Sequence, residues 1–176
     1  HVHDPAMFLP FPDRRYILWR LDSAWNAREV AKFSELDAKA LPRYDAFWEE
    51  FAELVEPTLL APPVSLADLA QFVTTPEAED FIRKTLLMSV QDVLDDFFES
   101  EEVKVSLGTS AVSGTLAGPR TPGTAFVLGH HSLGTIGGAK GVWGWAKGGM
   151  GGISDSIAHA ARHFGATIRT DAGVSG

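Results

Sequence analysis

Apolar residues recur at three- and four-residue steps through the first part of this chain, then give way to glycine. Leu41, Tyr44, Phe47, Trp48, Phe51, Leu54 and Val55 hold helical spacing, so the pattern predicts one long helix that buries an aromatic ridge. Ser34, with Asp37 three residues on, has the chemistry of its N-cap. Pro57 and Ala61-Pro62-Pro63 end it, and Pro42 is a candidate kink near its start. Upstream, Pro12-Asp13-Arg14 supplies turn chemistry between Phe8-Leu9 and the β-prone Tyr16-Ile17-Leu18-Trp19, which predicts a hairpin over residues 6–20. Asp22-Ser23 then caps a short helix ending near Phe33. Downstream, Ser65 with Asp68 opens another short helix, and Thr75-Pro76-Glu77 offers a cap, an N1 proline and an early acid. Phe81, Ile82, Leu86, Val90, Val93, Leu94 and Phe97 continue the helical spacing across a break near Ser89. A further helix, opened by Phe98-Glu99-Ser100-Glu101-Glu102, runs through Val103 and Leu107.

From Gly108 the pattern changes. Gly118-Pro119 and Pro122-Gly123 mark turns around one short helix, Thr124 to His131. In the stretch Gly141 to Gly176, a glycine-dense turn leads into a helix whose Ile153, Ile157, Ala160, Ala161 and Phe164 share one face. Gly165 stands where a left-handed C-cap would close that helix, and Ile168 to Val174 has the character of a strand. Such a strand has no neighbour within the unit, so something else must pair with it. Trp143 and Trp145 alternate as in a further short strand, where they would line a pocket or join the core. The sum is an α+β, helix-rich fold.

Composition sharpens this division. All 17 glycines lie from Gly108 onward, and residues 1–107 hold 21 of the 23 acids but 10 of the 15 bases, so the two parts carry −11 and +3. A net charge of −8 argues against a nucleic-acid partner. With no cysteine, disulfide frameworks and thiolate metal sites are excluded. No apolar run reaches the length of a membrane-spanning helix, and no leader is evident. The first residue is His and the last a glycine just past the expected strand, which suggests an excerpt of a longer protein.

The candidate chemistry is sparse. The six histidines form three pairs, His1/His3, His130/His131 and His159/His163. The last pair has i, i+4 zinc geometry, but Ala160 stands where a zincin carries glutamate, so no metal ligand is assigned. The run Gly134 to Gly141 is not a P-loop, and GGMGGIS is not the G-x-G-x-x-G fingerprint. Lys147-Gly148-Gly149-Met150-Gly151 nevertheless stands at a helix start, where free amides and the helix dipole favour an anion or a closely packed cofactor; close helix packing is the competing explanation. No catalytic serine, cysteine or carboxylate pair emerges, and Asp95, Asp96, Glu99, Glu101 and Glu102 read as a solvated face.

The segments PGTAFVLGHHSLG and GVWGWAKGGMGGISDSIAHAARHFGATIRTDAGV resemble the phytoene desaturase-related FAD-dependent oxidoreductases of the flavin amine oxidase superfamily. Within these, the resemblance is to the branch typified by pyridine nucleotide-disulfide oxidoreductase domain-containing protein 2 and its bacterial relatives. DPAMFLPFPDRRYILWR, FSELDAKALPRYDAFW and DDFFESEEVKVSLG extend the likeness over nearly the whole chain. The resemblance implies that residues 1–140 belong to a mainly helical substrate, or cap, domain and that 141–176 return to the FAD-binding domain. Both the G-x-G-x-x-G segment and the C-terminal flavin-binding segment of such proteins would lie elsewhere. It places Val174 against the adenine and Gly148, Gly149 and Met150 at the helix entry beside FAD. The implied reaction is hydride transfer from a carbon centre to flavin, with an apolar small molecule as substrate. The implied partner is the remainder of the FAD-binding domain, with homo-oligomerisation left open. The implied location is cytoplasmic for a bacterial protein and the mitochondrial matrix for an animal homologue. The rival reading is a non-catalytic helical interaction module, using the acidic helices and the ridge of Tyr44, Phe47, Trp48 and Phe51.

Overall fold

A computed structural model describes residues 2–136 and 138–174, and of Ala139 only the backbone. The described chain divides into two units, residues 4–142 and residues 2–3 with 143–174. His1 of the first histidine pair and Gly137 of the first glycine run lie outside the described residues.

The larger unit begins with the expected hairpin. β1 (Met7–Pro10) and β2 (Tyr16–Trp19) pair antiparallel, Met7 opposite Trp19 and Pro10 opposite Tyr16. The turn closes because Arg14 adopts a left-handed φ of 71° and the Phe11 N–H donates to the Arg15 carbonyl at 2.8 Å. The Asp13 carboxylate accepts from the Arg15 backbone N–H at 3.0 Å and from the Arg15 Nε–H at 2.6 Å, and these two bonds hold its pKa below the ordinary carboxylate value.

α1 (Ser23–Ala31) starts under Asp22, whose side chain accepts from the Trp25 N–H at 3.0 Å. Its buried Glu29 accepts from the Leu18 N–H at 3.1 Å, so a carboxylate fastens this helix to β2. α2 (Glu35–Val55) starts under Ser34 and runs unbroken through Pro42; a 3-10 turn, Glu56–Thr58, follows it. The candidate kink is therefore not a break: near the start of a long helix, the bond lost at Pro42 is offset by the packing of the turns beyond it. Tyr44, Trp48 and Phe51 are buried and pack with Val90, Val93, Leu94, Phe98 and Leu128. Burial pushes the Tyr44 phenol above its ordinary range.

Around α2 come α3 (Leu66–Ala70), α4 (Pro76–Ile82), a π-helical turn at Arg83–Leu87, α5 (Val90–Phe97) and α6 (Glu101–Gly108). The break expected near Ser89 is real. Met88 is extended, and Ser89 and Asp92 form a reciprocal capping box at the start of α5. The buried Asp37 of α2 accepts from the Glu99 and Ser100 N–H groups at 2.8 and 2.9 Å, tying α2 to the entry of α6. A 3-10 turn, Thr109–Val112, leads on to α7 (Thr124–His130). α7 lies so close to α2 that a Cβ on Gly129 would come within 2.5 Å of Phe51 Cε1. Only a residue without a side chain fits there. Beyond it, β3 (Thr135–Ile136) and β4 (Ala139–Lys140) pair antiparallel, a hairpin that the turn-rich sequence does not announce.

The smaller unit is built on α8 (Gly149–His163). Gly165, at φ 90°, closes it as expected: its N–H donates to the Arg162 carbonyl at 3.0 Å and the Ala166 N–H to the Ala161 carbonyl at 2.9 Å, a Schellman pair. The strand expected over Ile168–Val174 does not form. A strand exists through its ladder, and among the described residues no backbone pairs with this segment. The Trp143–Trp145 strand likewise reduces to one antiparallel bridge between Val2 and Gly144. The fold is α+β and helix-rich, with two two-stranded sheets among the described residues.

Candidate functional site

Among the described residues, α1 through α6 each begin under a side chain, in order Asp22, Ser34, Ser65, Thr75, Ser89 and Ser100. α8 does not. Its N-cap is Gly148 at φ 86°, followed by Gly149 at φ 71°, both in the left-handed region that a side chain disfavours. The Gly149 N–H turns back to the Ala146 carbonyl at 3.0 Å. A Cβ on Gly152 would lie 2.5 Å from the Lys147 carbonyl oxygen, so the incoming loop rests directly on the first helical turn. No side chain caps these amides and no acid stands in the first turn. The positive end of the helix dipole is thus left for a group from outside the helix.

Met150 is 79% exposed at this entry, and Val174 is 96% exposed in the irregular segment beyond α8. The structure brings Gly148, Gly149 and Met150 together in one turn. Val174 belongs to the same unit. The apolar face of α8 carries exposed Ile153, Ile157 and Phe164, and the helix has no buried residue.

Other sequence candidates resolve differently. His159 and His163 are exposed on α8, with the His163 ring 5.2 Å from that of Phe164. The His130 and His131 rings lie 5.9 Å apart. Among the described residues no three potential metal ligands come together. Trp143 and Trp145 are exposed rather than core; the His3 N–H donates to the Trp143 carbonyl at 3.1 Å, and the His3 ring meets Trp145 edge-on at 5.6 Å. Of the ridge in the interaction-module reading, Tyr44, Trp48 and Phe51 are core residues, which leaves Phe47 alone partly accessible. Sequence reasoning had no signal for Gly152, whose role depends on the path of the preceding loop.

No family model matches the chain, and no solved structure matches it. Along 99% of its length it is similar to pyridine nucleotide-disulfide oxidoreductase domain-containing protein 2 of Rattus norvegicus, at 33% identity, and of Mus musculus, at 34%. The chain spans 35% of the length of each, so it is a homologue of about a third of those two mammalian proteins.

Proposed function

We propose that this chain is part of an FAD-dependent oxidoreductase, contributing substrate-domain structure through residues 1–140 and one helical segment of the cofactor domain through 141–176. The similarity to the mammalian oxidoreductase-domain proteins carries this reading, because it extends through the whole of α8 and the segment after it. The local structure fits the group. Gly148 and Gly149 hold left-handed turns that present backbone rather than side chains, and the first turn of α8 lacks any acid to repel phosphate.

In this reading the side-chain-free backbone turn at Gly148 and Gly149 approaches the cofactor, Met150 gives an apolar contact at the entry, and the backbone of Val174 meets the adenine. The exposed stripe of Ile153, Ile157 and Phe164 is then the surface on which the rest of the FAD-binding domain packs, and Ile168–Val174 finds its ladder there. When bound, FAD supplies the electron-pair acceptor for hydride removal from a carbon centre. The chain's own part is to position, cover and dry; no side chain here is assigned as acid or base. A phytoene desaturase-like reaction on an apolar substrate is the finer form of the proposal.

Purified full-length protein should show the flavin absorption bands, and denaturation should release FAD in stoichiometric amount. Protein that is colourless as isolated and takes up no FAD on titration would refute the proposal. Gly149→Val should lower FAD content while leaving the helical circular dichroism unchanged.

A further inference from the structure

A second feature lies wholly within residues 4–142. The C-terminal half of α2 and the start of α4 face each other across a cleft of about 980 Å³. Its floor is apolar and largely aromatic: Phe47, Leu54, Phe72 and Phe81, with the Phe47 and Phe81 rings 5.2 Å apart. Phe72 is 60% and Leu54 41% exposed, so this apolar surface is open. The lining is also acidic. On α2, Glu50 and Glu53 share the stripe of Phe47 and Leu54, and Glu77 stands on α4.

These three carboxylates make no ion pair among the described residues. Lys84 is the only base in the lining, and it is already claimed: Asp80 lies 3.0 Å and Asp96 2.9 Å from its Nζ. The neighbouring Arg83 is likewise paired with Asp80. Residues 44–82 contain nine acids and no Lys, Arg or His. The cleft therefore combines an apolar floor with uncompensated negative charge.

We propose that this cleft binds a small cationic amphiphile, an alkyl or aryl body carrying an ammonium group. The body replaces water on the phenylalanine floor. The ammonium relieves repulsion among Glu50, Glu53 and Glu77 and can lie over an aromatic face. The same charges reject a carboxylate or phosphate of equal apolar size. The volume is that of a small-molecule site, near the upper end of the usual ~300–1,000 Å³, which favours a small amphiphile over a basic helix. This inference does not rest on the flavin reading, and a colourless protein would leave it standing.

Isothermal titration of the full chain with octyltrimethylammonium, below its micelle concentration and at fixed ionic strength, tests it against octanoate of the same chain length. The cation should bind at one site and roughly tenfold or more tighter than octanoate. Glu50→Gln with Glu53→Gln should erase most of that preference, since glutamine keeps the helix and removes only charge; circular dichroism checks that the fold is retained. Phe72→Ala, at an exposed position, should weaken the cation several-fold. The proposal is overturned if octanoate binds as tightly, if the double variant retains the preference, or if a basic amphipathic peptide binds where octyltrimethylammonium does not.

Discussion

The two long helices of this chain carry equally regular apolar stripes and meet opposite fates. In α2, Tyr44, Trp48 and Phe51 are sealed beneath α5 and α7, with Gly129 absent of any side chain so that the backbones can close. In α8, Met150, Ile153, Ile157 and Phe164 stay open, and no residue of the helix is buried. The ends differ as well. α2 satisfies its first amides with Ser34, whereas α8 begins on two left-handed glycines. A stripe fixes which face of a helix wants cover, but the rest of the molecule must supply that cover.

Mutation can break this contrast, and the largest effect belongs to the closed side. Phe51→Ala should cost about 3–5 kcal/mol in equilibrium denaturation, because the cavity opens in the centre of the core. A loss within the range of surface substitutions would show that the core is looser than its packing implies. Gly129→Ala adds only one carbon, yet places it against Phe51 and Trp48, and should cost about 1–3 kcal/mol. On the open side, Gly165→Ala forces a side chain into the left-handed region. Amide exchange at Ala166, whose N–H closes the Schellman pair, should lose about 1–2 kcal/mol of protection.

Electrostatics gives a smaller effect, again within the larger unit. The hydrogen bond from Lys104, first among its influences, holds the Asp95 carboxyl below its ordinary 3.8. A carboxylate depressed in the folded state adds stability above its unfolded pKa and loses it as pH falls through the folded value. Asp95 is 49% exposed, so the screened contribution is about 0.2–1 kcal/mol. Denaturation midpoints should decline below about pH 4, less steeply in Asp95→Asn. The smallest effect is expected at Ile157→Ala, within about 0.5 kcal/mol for the chain as described, since Ile157 is exposed. In full-length protein that binds FAD, the same change should become costly, which would sharpen the contrast by showing that the face is covered there.

Much of the local architecture was legible from the chain alone, for reasons of short-range chemistry. Asp22, Ser34, Ser65 and Thr75 announce helix starts because a side-chain oxygen can reach an amide two or three residues on, whatever the rest of the fold does, while Ser89 reads from sequence only as a break and Ser100 only as part of the run that opens α6. The hairpin at Pro12-Asp13-Arg14 and the closure of α8 at Gly165 are equally local. The candidate cofactor-binding turn was legible as glycine spacing and, through resemblance, as Gly148, Gly149 and Met150. Its close backbone contact at Gly152 was not, since that depends on where Lys147 lies.

What the tertiary structure alone decided is which apolar surfaces are closed. It assigned Tyr44, Trp48 and Phe51 to the core rather than to a docking ridge, and it left Trp143 and Trp145 exposed. It withheld the strand over Ile168–Val174, because β-propensity cannot stand in for a neighbouring backbone. It also set Glu50 and Glu53 of α2 opposite Glu77 of α4, which lies far along the sequence, and so turned a scattered acidic composition into one charged cleft. Sequence fixes caps, turns and stripes because their interactions span a few residues. Burial and charge juxtaposition are properties of distant segments meeting, and only folding brings those segments together.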